Sequence, residues 1–430
     1  MADTRIQRTG GWSDLLRKDD WISVWIGFLI LGAFVAGLAL KLPKWKWAAV
    51  SDLAAVFSGP NLVRLVPVFL AVAALGAAAA ALLGRDVRKF LLGFPVVFVL
   101  SAAAFLIAGN TTLSGWGLEY VLWALLLGLL LGNTVGLPAW LKAAANAELY
   151  VKIGLVLLGA ELLLRTLLKA GAWGMLQAVV VVGAVWTFCY WLARRLGLDE
   201  EFGAILATGV SVCGVSAAIA AGGALKGDPK KVSHTISLIL IVAVPMLVLE
   251  PLAAKLMALA PAVAGAWIGG TIDTTGAVAA AGTIAGTEAL QLATVVKMAQ
   301  NALIGIVAFL LAIWASVRGK KGADRPRPVE IWNRFPKFVL GFVAASLVFS
   351  LVLPEKTAAG IIAVTSGLRG WWFCLAFVSI GMETRLKDLV AMEGGRPAAT
   401  FLGAQAFNVL WTLLVAALLF GGILFPAPRF

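Results

Sequence analysis

The sequence predicts an all-α membrane protein with about eleven full transmembrane helices and two broken or re-entrant helical segments. Three observations carry that expectation. Hydrophobic residues make up 61% of the 430 and charged residues only 13%, whereas a water-soluble globule keeps about 25% of its residues charged. Mean hydropathy is +0.96. Apolar runs near the ~20 residues that span a hydrocarbon core recur along nearly the whole chain. A chain of this character is solvated by lipid.

Composition also excludes several classes of function. The formal charge of +13 could suit nucleic acid, but the basic residues sit in short connectors between apolar runs, without a stripe of stacking aromatics. Seventeen Trp against three Tyr fit a belt at the membrane interface, where indole offers an apolar face and one donor. Cys189, Cys213 and Cys374 lie in apolar segments with no CxxC spacing, and His234 is the single histidine. Neither a disulfide framework, a metal centre nor a cofactor site is expected.

Residues 1–20 are polar and are expected to form a cytoplasmic N-terminal segment. The first apolar run, 21–40, is long enough to remain as a span and not a cleaved signal. With its loop to residue 60 it precedes a core over 61–430. Further runs follow at 62–83, 90–108, 118–136, 150–168, 173–193, 202–224, 233–254, 262–283, 289–316, 335–353, 359–381 and 398–420, thirteen in all. The connectors are short, the longest at about 318–336, so no extramembrane catalytic domain fits between spans. Any function must lie within the bilayer.

Two of these runs make poor ordinary spans. Segments 202–224 and 262–286 are crowded with Gly, Ala, Ser and Thr where Leu, Ile and Val dominate elsewhere. Such backbone can leave the helix and expose polar groups, which is tolerated at membrane depth only against protein or a water-filled cavity. The competing reading is close helix packing through small residues. Lys and Arg collect on the cytoplasmic side of a membrane. That bias puts the N-terminus inside whether the segments cross or re-enter, and is stronger if both are hairpins entering from opposite faces.

Lys152–Gly171, KIGLVLLGAELLLRTLLKAG, resembles Phe373–Gly395, FCLAFVSIGMETRLKDLVAMEGG, with Gly159-Ala160-Glu161 aligned on Gly381-Met382-Glu383. The topology runs the two copies in opposite directions, the pattern of an inverted-repeat transporter.

Candidate site residues concentrate in the two small-residue segments. The first offers Ser211, Cys213, Gly214 and Ser216, whose small side chains let a ligand approach the backbone. A half-helix starting at mid-membrane aims free N–H groups and the positive end of its dipole into a cavity, which suits an anion. For any one Ser or Cys, a bond to its own helix is the plainer reading. The second segment adds Thr271, Thr274, Thr275 and Asp273, and the helix after it carries Lys297. Ionisable residues at membrane depth cost about 2.5–3.5 kcal/mol each on insertion scales and mark function by default. Lys297 would supply positive charge to an anion while Asp273 takes a proton or holds a coupling cation such as Na+. Alternatively the two neutralise one another as a structural ion pair. Elsewhere, Glu161 with Arg165 and Glu148 with Lys152 are spaced for local pairing. Glu250, before Pro251 near a span end, is expected to reach the interface, and His234 to face water.

These residues resemble a family of bacterial inner-membrane proteins provisionally named sulfate exporters. The likeness covers about residue 60 to the end. It rests on the LLLGN run ending at Asn133, GAELLL from Gly159, SVCGVSAA from Ser211, GGTIDTTGAVAAAG from Gly269, ATVVKMAQN to Asn301 and GMETRLKDL from Gly381. The resemblance implies a multi-pass secondary carrier with an inverted-repeat core, exporting a small anion. This chain has Asp273-Thr274 where many members carry a His-Glu pair, and the helix at 21–40 looks like an addition to the core. The expected function is therefore ion-coupled transport of an anion such as sulfate, sulfite or an organic sulfonate. The alternative is a cation/proton antiporter using Asp273 and Lys297. No enzyme activity is expected, because Ser211, Cys213 and Ser216 have no base beside them in sequence beyond a distant His234. The partners are the anion, a proton or Na+, the lipid bilayer and a possible second copy of the chain.

Overall fold

Capping fixes where several helices begin. The computed structural model describes residues 14–115, 118–162, 164–317, 328–384 and 395–424. Its main helices are α1 (Asp19–Val35), α2 (Leu65–Leu82), α3 (Val87–Ala108), α4 (Tyr120–Thr134), α5 (Ala147–Glu161) and α6 (Leu164–Arg195). They continue with α7 (Glu200–Ser211), α8 (Val215–Leu225), α9 (Pro229–Leu256), α10 (Pro261–Thr271), α11 (Thr275–Ala285) and α12 (Thr287–Ala302). The last are α13 (Ile304–Val317), α14 (Val329–Arg334), α15 (Phe338–Leu351), α16 (Glu355–Glu383) and α17 (Arg396–Phe420). Asp86, Asp199 and Asp228 each accept a hydrogen bond from a first-turn N–H, of Lys89, Phe202 and Lys230, and so open α3, α7 and α9.

The fold is helical and polytopic. Among the described residues eight helices are long and apolar enough to cross a membrane, against the eleven or so full spans expected. The difference lies partly in short apolar helices such as α4 and α15, which pack against long ones but fall below a full crossing by length.

The helices sort into two bundles. In the first, α16 packs along α4 and α5, α5 also packs on α15 and α1, and α3 and α2 close the outer side. The helix within 21–40 is an integral part of it: Gly27 rests on Val156 of α5, and Val24 on Gly341 of α15. Trp371, stacked on Phe98, and Trp372 are core residues here, not belt residues. In the second bundle α6 packs on α7, α12 and α17, and α10 lies between α12 and α17. The bundles meet thinly, chiefly where α11 touches α4, α5 and α16.

Both small-residue segments fold back on themselves. Glu201, at the start of α7, accepts from the Asp228 backbone N–H beyond the end of α8, and Gly209 of α7 lies by Ala218 of α8 and Ile239 of α9. Gly222 of α8 meets Val232 of α9. So α7 runs parallel to α9 and α8 antiparallel to it, as the two arms of a hairpin. In the same way Gly265 and Gly269 of α10 meet Ala289 and Ala293 of α12, while Gly282 of α11 meets Leu290. Here α10 is parallel and α11 antiparallel to α12. Since α9 runs from the base of the first hairpin to the base of the second, the two enter from opposite faces. The packing reading of the glycines holds as well: Gly265 and Gly269 let the backbones of α10 and α12 touch.

The sequence copies at 152–171 and 373–395 begin on α5 and α16, which run antiparallel, with Gly154 against Phe373 and Val151 near the same glycine as Ile380. Residues 385–394 of the second copy are outside the described residues. Glu161 pairs with a residue far away in sequence: Arg369 of α16 donates to both its oxygens, at 2.7 and 3.1 Å. The side chain of Arg165, its expected local partner, is outside the described residues. Lys152 does bind Glu148 locally, at 2.6 Å, and also Asp20, at 2.7 Å.

The opposed hairpins predict opposite labelling. Cys189 and Cys374 are buried, so with Cys213 replaced by Ser a single added thiol can be read. Lys230→Cys and Thr287→Cys should react with an impermeant maleimide from opposite sides of sealed vesicles. Labelling of both from one side would contradict the hairpins.

The base of the first hairpin also predicts a pH response. Burial alone would raise the Asp199 carboxyl, but hydrogen bonds from Lys231 Nζ (2.9 Å) and Phe202 N (3.0 Å) hold it below the ordinary carboxylate range. A depressed carboxyl contributes stability above its unfolded value of about 3.9. That contribution is lost as pH falls through the folded value. The melting curves of wild type and Asp199→Asn should differ at neutral pH and converge below about pH 4.

Candidate functional site

A helix stopped at mid-membrane leaves carbonyls with no partner at one end and N–H groups at the other. The first hairpin is cut at Val212-Cys213-Gly214. Gly214 takes φ +67° and ψ −115°, a backbone conformation open in practice to glycine. A Cβ on it would come within 2.8 Å of Ile239 and 3.2 Å of the Asp273 Cβ. Glycine thus both makes the turn and lets the two hairpin tips touch. The second hairpin is cut at Ile272-Asp273-Thr274, where the Thr274 hydroxyl accepts from Ala277 N and caps α11.

The freed carbonyls are met by side chains from α12 and α17. Lys297 Nζ donates to Val212 O (3.1 Å) and to Gln300 Oε1 (2.8 Å), and Gln300 Nε2 donates to Gly270 O (2.8 Å). From α17, Asn408 Nδ2 reaches Val210 O (3.4 Å) and Thr271 O (3.2 Å), and Gln405 Nε2 also reaches Thr271 O (3.1 Å). Thr412 Oγ1 orients Asn408 by donating to its Oδ1 at 2.7 Å. Each helix therefore clamps both hairpins at once.

The opposite ends of the breaks face open space. A cavity of about 820 Å3 lies between the two bundles, lined at its floor by Cys213, Ser216, Thr274, Thr275 and Asn301. Both α8 and α11 begin there, so two half-helix N-termini share one chamber. Its walls are the apolar face of α9 and residues of α5 and α16, and its rim carries Asp20, Glu148, Lys152, Arg334 and Glu383. Arg334 Nη1 donates to Ala220 O of α8 at 2.6 Å, so α14 straps the rim to the first hairpin.

The residues singled out from the sequence fall into two sets. Cys213, Ser216, Thr274 and Thr275 line the cavity. Ser211, Gly214, Thr271, Asp273 and Lys297 do not; they form the packed junction behind its floor. Thr271 Oγ1 donates to Trp267 O of its own helix, the plain reading for such a hydroxyl. Lys297 is 1% exposed and spends its hydrogen bonds on Val212 and Gln300, not on Asp273. Asp273 is 2% exposed and its Oδ2 has no hydrogen-bond partner.

Sequence reasoning missed the amides. Gln300, Gln405 and Asn408 are polar residues in apolar helices, and an intramembrane amide was the available signal. It also misplaced Glu250, which does not reach the interface: it is 5% exposed, and neither carboxylate oxygen has a hydrogen-bond partner. The cause is packing, since α9 turns this residue inward between the second hairpin and α17. His234 is half-buried, its ring edge-on to Phe202 at 5.9 Å. Among the described residues no group of three His, Cys, Asp or Glu could hold a metal.

Two opposed hairpins meeting beside a cavity between two bundles define a polytopic helical membrane protein of transporter-like build. The family model described as conserved hypothetical protein 698 matches residues 90–400, and the chain belongs to that family, the UPF0324 membrane proteins. A UPF0324 membrane protein of Rhodopirellula baltica is 42% identical, over 88% of this chain and 71% of its own length. One from Nitratidesulfovibrio vulgaris is 39% identical, over 80% of this chain and 62% of its own length. Another, from Nitrosomonas europaea, is 29% identical, over 89% and 91%. No solved structure matches the chain.

Lys297→Met leaves the Val212 carbonyl and Gln300 Oε1 without a donor in a dry interior, and should cost about 3 kcal/mol. Gly214→Ala should cost about 1–3 kcal/mol through its positive φ and the contact with Ile239. Thermal unfolding in detergent, followed by tryptophan fluorescence, reads both. Wild-type melting in either variant would contradict the tip geometry.

Proposed function

We propose that the protein is a secondary active transporter of a small anion, such as sulfate, sulfite or an organic sulfonate, ion-coupled and working by alternating access. The observation that carries this reading is the convergence of the α8 and α11 N-termini on one cavity floor. Free N–H groups and two positive dipole ends favour a negative ligand, and the Ser216 and Thr275 hydroxyls add donors beside them. A tetrahedral oxyanion takes several short donors at once, without needing a full counter-charge. The likeness to the provisionally named sulfate exporters supports the same ligand class and suggests export.

The cavity opens on the side of Asp20, Lys152 and Arg334. On the Lys and Arg bias of the connectors we take that side, with the N-terminus, as the cytoplasmic face of a bacterial inner membrane. In this orientation the chamber faces inward and loads from the cytoplasm, as export requires. The thin meeting of the two bundles supplies the surface on which access could change sides. We read the protein as a carrier and not an enzyme, and as a possible homodimer.

A second reading, cation/proton antiport, is favoured by one observation: Asp273 and Glu250 are buried carboxyls with unpartnered oxygens. Flux separates the two. In proteoliposomes, radiolabelled sulfate or sulfite should move faster under a Na+ or pH gradient, and Ser216→Ala with Thr275→Ala should lower that flux at least tenfold. Gradient-driven proton flux unaffected by any anion would favour the antiporter, and unchanged anion flux in the double variant would remove the site assignment.

A further inference from the structure

The second hairpin has two ends at its break, and the one facing away from the cavity is the negative end of α10. Glu250 of α9 sits beside it, with Thr271 and Asp273 as polar neighbours. Gln405, 4% exposed, reaches the same point from α17: its amide nitrogen lies 3.1 Å from Thr271 O and 3.0 Å from Met246 Sδ, one turn before Glu250 on α9. Around this point the unsatisfied atoms are all oxygens: Glu250 Oε1 and Oε2, Asp273 Oδ2 and Gln405 Oε1. Native interiors leave few buried polar atoms unpaired, and a cluster of them calls for an unseen partner. A water or a carboxyl proton could serve one or two such oxygens, whereas one bound cation serves all four at once.

We propose that this cluster of buried oxygens, from Glu250, Asp273, Gln405 and Thr271, binds one Na+ ion. Charge and ligand chemistry select the ion. A monovalent cation can take the place of a carboxyl proton without changing the net charge of the buried site. Oxygen donors suit a hard cation, and the set has neither the thiolates nor the imidazoles of a zinc site. The cluster lies close to the cavity: Leu247, three residues before Glu250 on α9, lines the cavity wall.

The site deepens the carrier reading by naming its coupling ion, and for that role it rests on that reading. Binding itself does not. The positive ends of α8 and α11 face the anion chamber, while the negative end of α10 faces the cation, with the hairpin tips between them. An ion there ties α9, α10 and α17 together and would stiffen the tip against which the anion sits.

The purified full chain in detergent, melted across a Na+ titration with choline holding the ionic strength, tests the inference. Wild type should show a saturable rise in melting temperature with Na+, present without sulfate. Glu250→Gln should abolish the rise. If that variant does not fold, Gln405→Leu serves, expected to weaken Na+ at least tenfold, and Ser216→Ala should keep the full shift. Melting indifferent to Na+ in wild type, or an undiminished shift in folded Glu250→Gln or Gln405→Leu, overturns the site. A retained Na+ shift with no anion flux in proteoliposomes would instead sink the carrier reading and leave the ion site standing.

Discussion

A helix severed in the middle of a membrane exposes carbonyls that neither water nor lipid can satisfy, and the rest of this structure is arranged around that constraint. Without donors, each stranded carbonyl costs a kcal/mol or more. Lys297 and Gln300 on α12, with Gln405 and Asn408 on α17, are those donors. A lysine has three N–H groups on a flexible stem, so it can serve a carbonyl and an amide together. The amides bring an acceptor as well as donors, which lets Asn408 be held by Thr412 while it holds both hairpins.

Satisfying the carbonyls in this way has an electrostatic result. The two positive half-helix ends face the cavity, with only Thr274 capping α11 beside it, while the negative ends are turned into the packed side. Gly214 makes the sorting possible, because a side chain there would hold the tips apart. The floor of the chamber is therefore polar without carrying a full charge of its own. Its full charges lie at the rim, where Lys152 is neutralised by Asp20 and Glu148.

Much of this was legible in the sequence. Runs of Gly, Ala and Thr where neighbouring spans carry Leu and Ile located both hairpins, because backbone that must turn or touch backbone excludes large side chains. The bias of Lys and Arg favoured hairpins over crossings. What stayed hidden depended on rotation and distance. Asp273 and Lys297 admitted an ion-pair reading because both are ionisable at membrane depth, yet Lys297 spends its hydrogen bonds on Val212 and Gln300. Glu161 found Arg369 instead of a neighbour one turn away, since α5 and α16 lie side by side. Glu250 was read from its nearness to a span end, but α9 is 28 residues long, about 42 Å at 1.5 Å per residue. Glu250 lies six residues, about 9 Å, short of the end of α9 at Leu256, and is packed against the second hairpin and not the interface.

The backbone contact of Gly265 and Gly269 with α12 has one further consequence. Two chains touching without intervening side chains have no lubricating layer, so α10 and α12 form one mechanical piece. With the clamps of α12 and α17 fastening the first hairpin to the same piece, neither hairpin is free to swing as a separate flap. Whatever rearrangement this molecule undergoes must shift the whole cradle as a single carriage past α4, α5 and α16, and the friction of that track falls on the short face of α11.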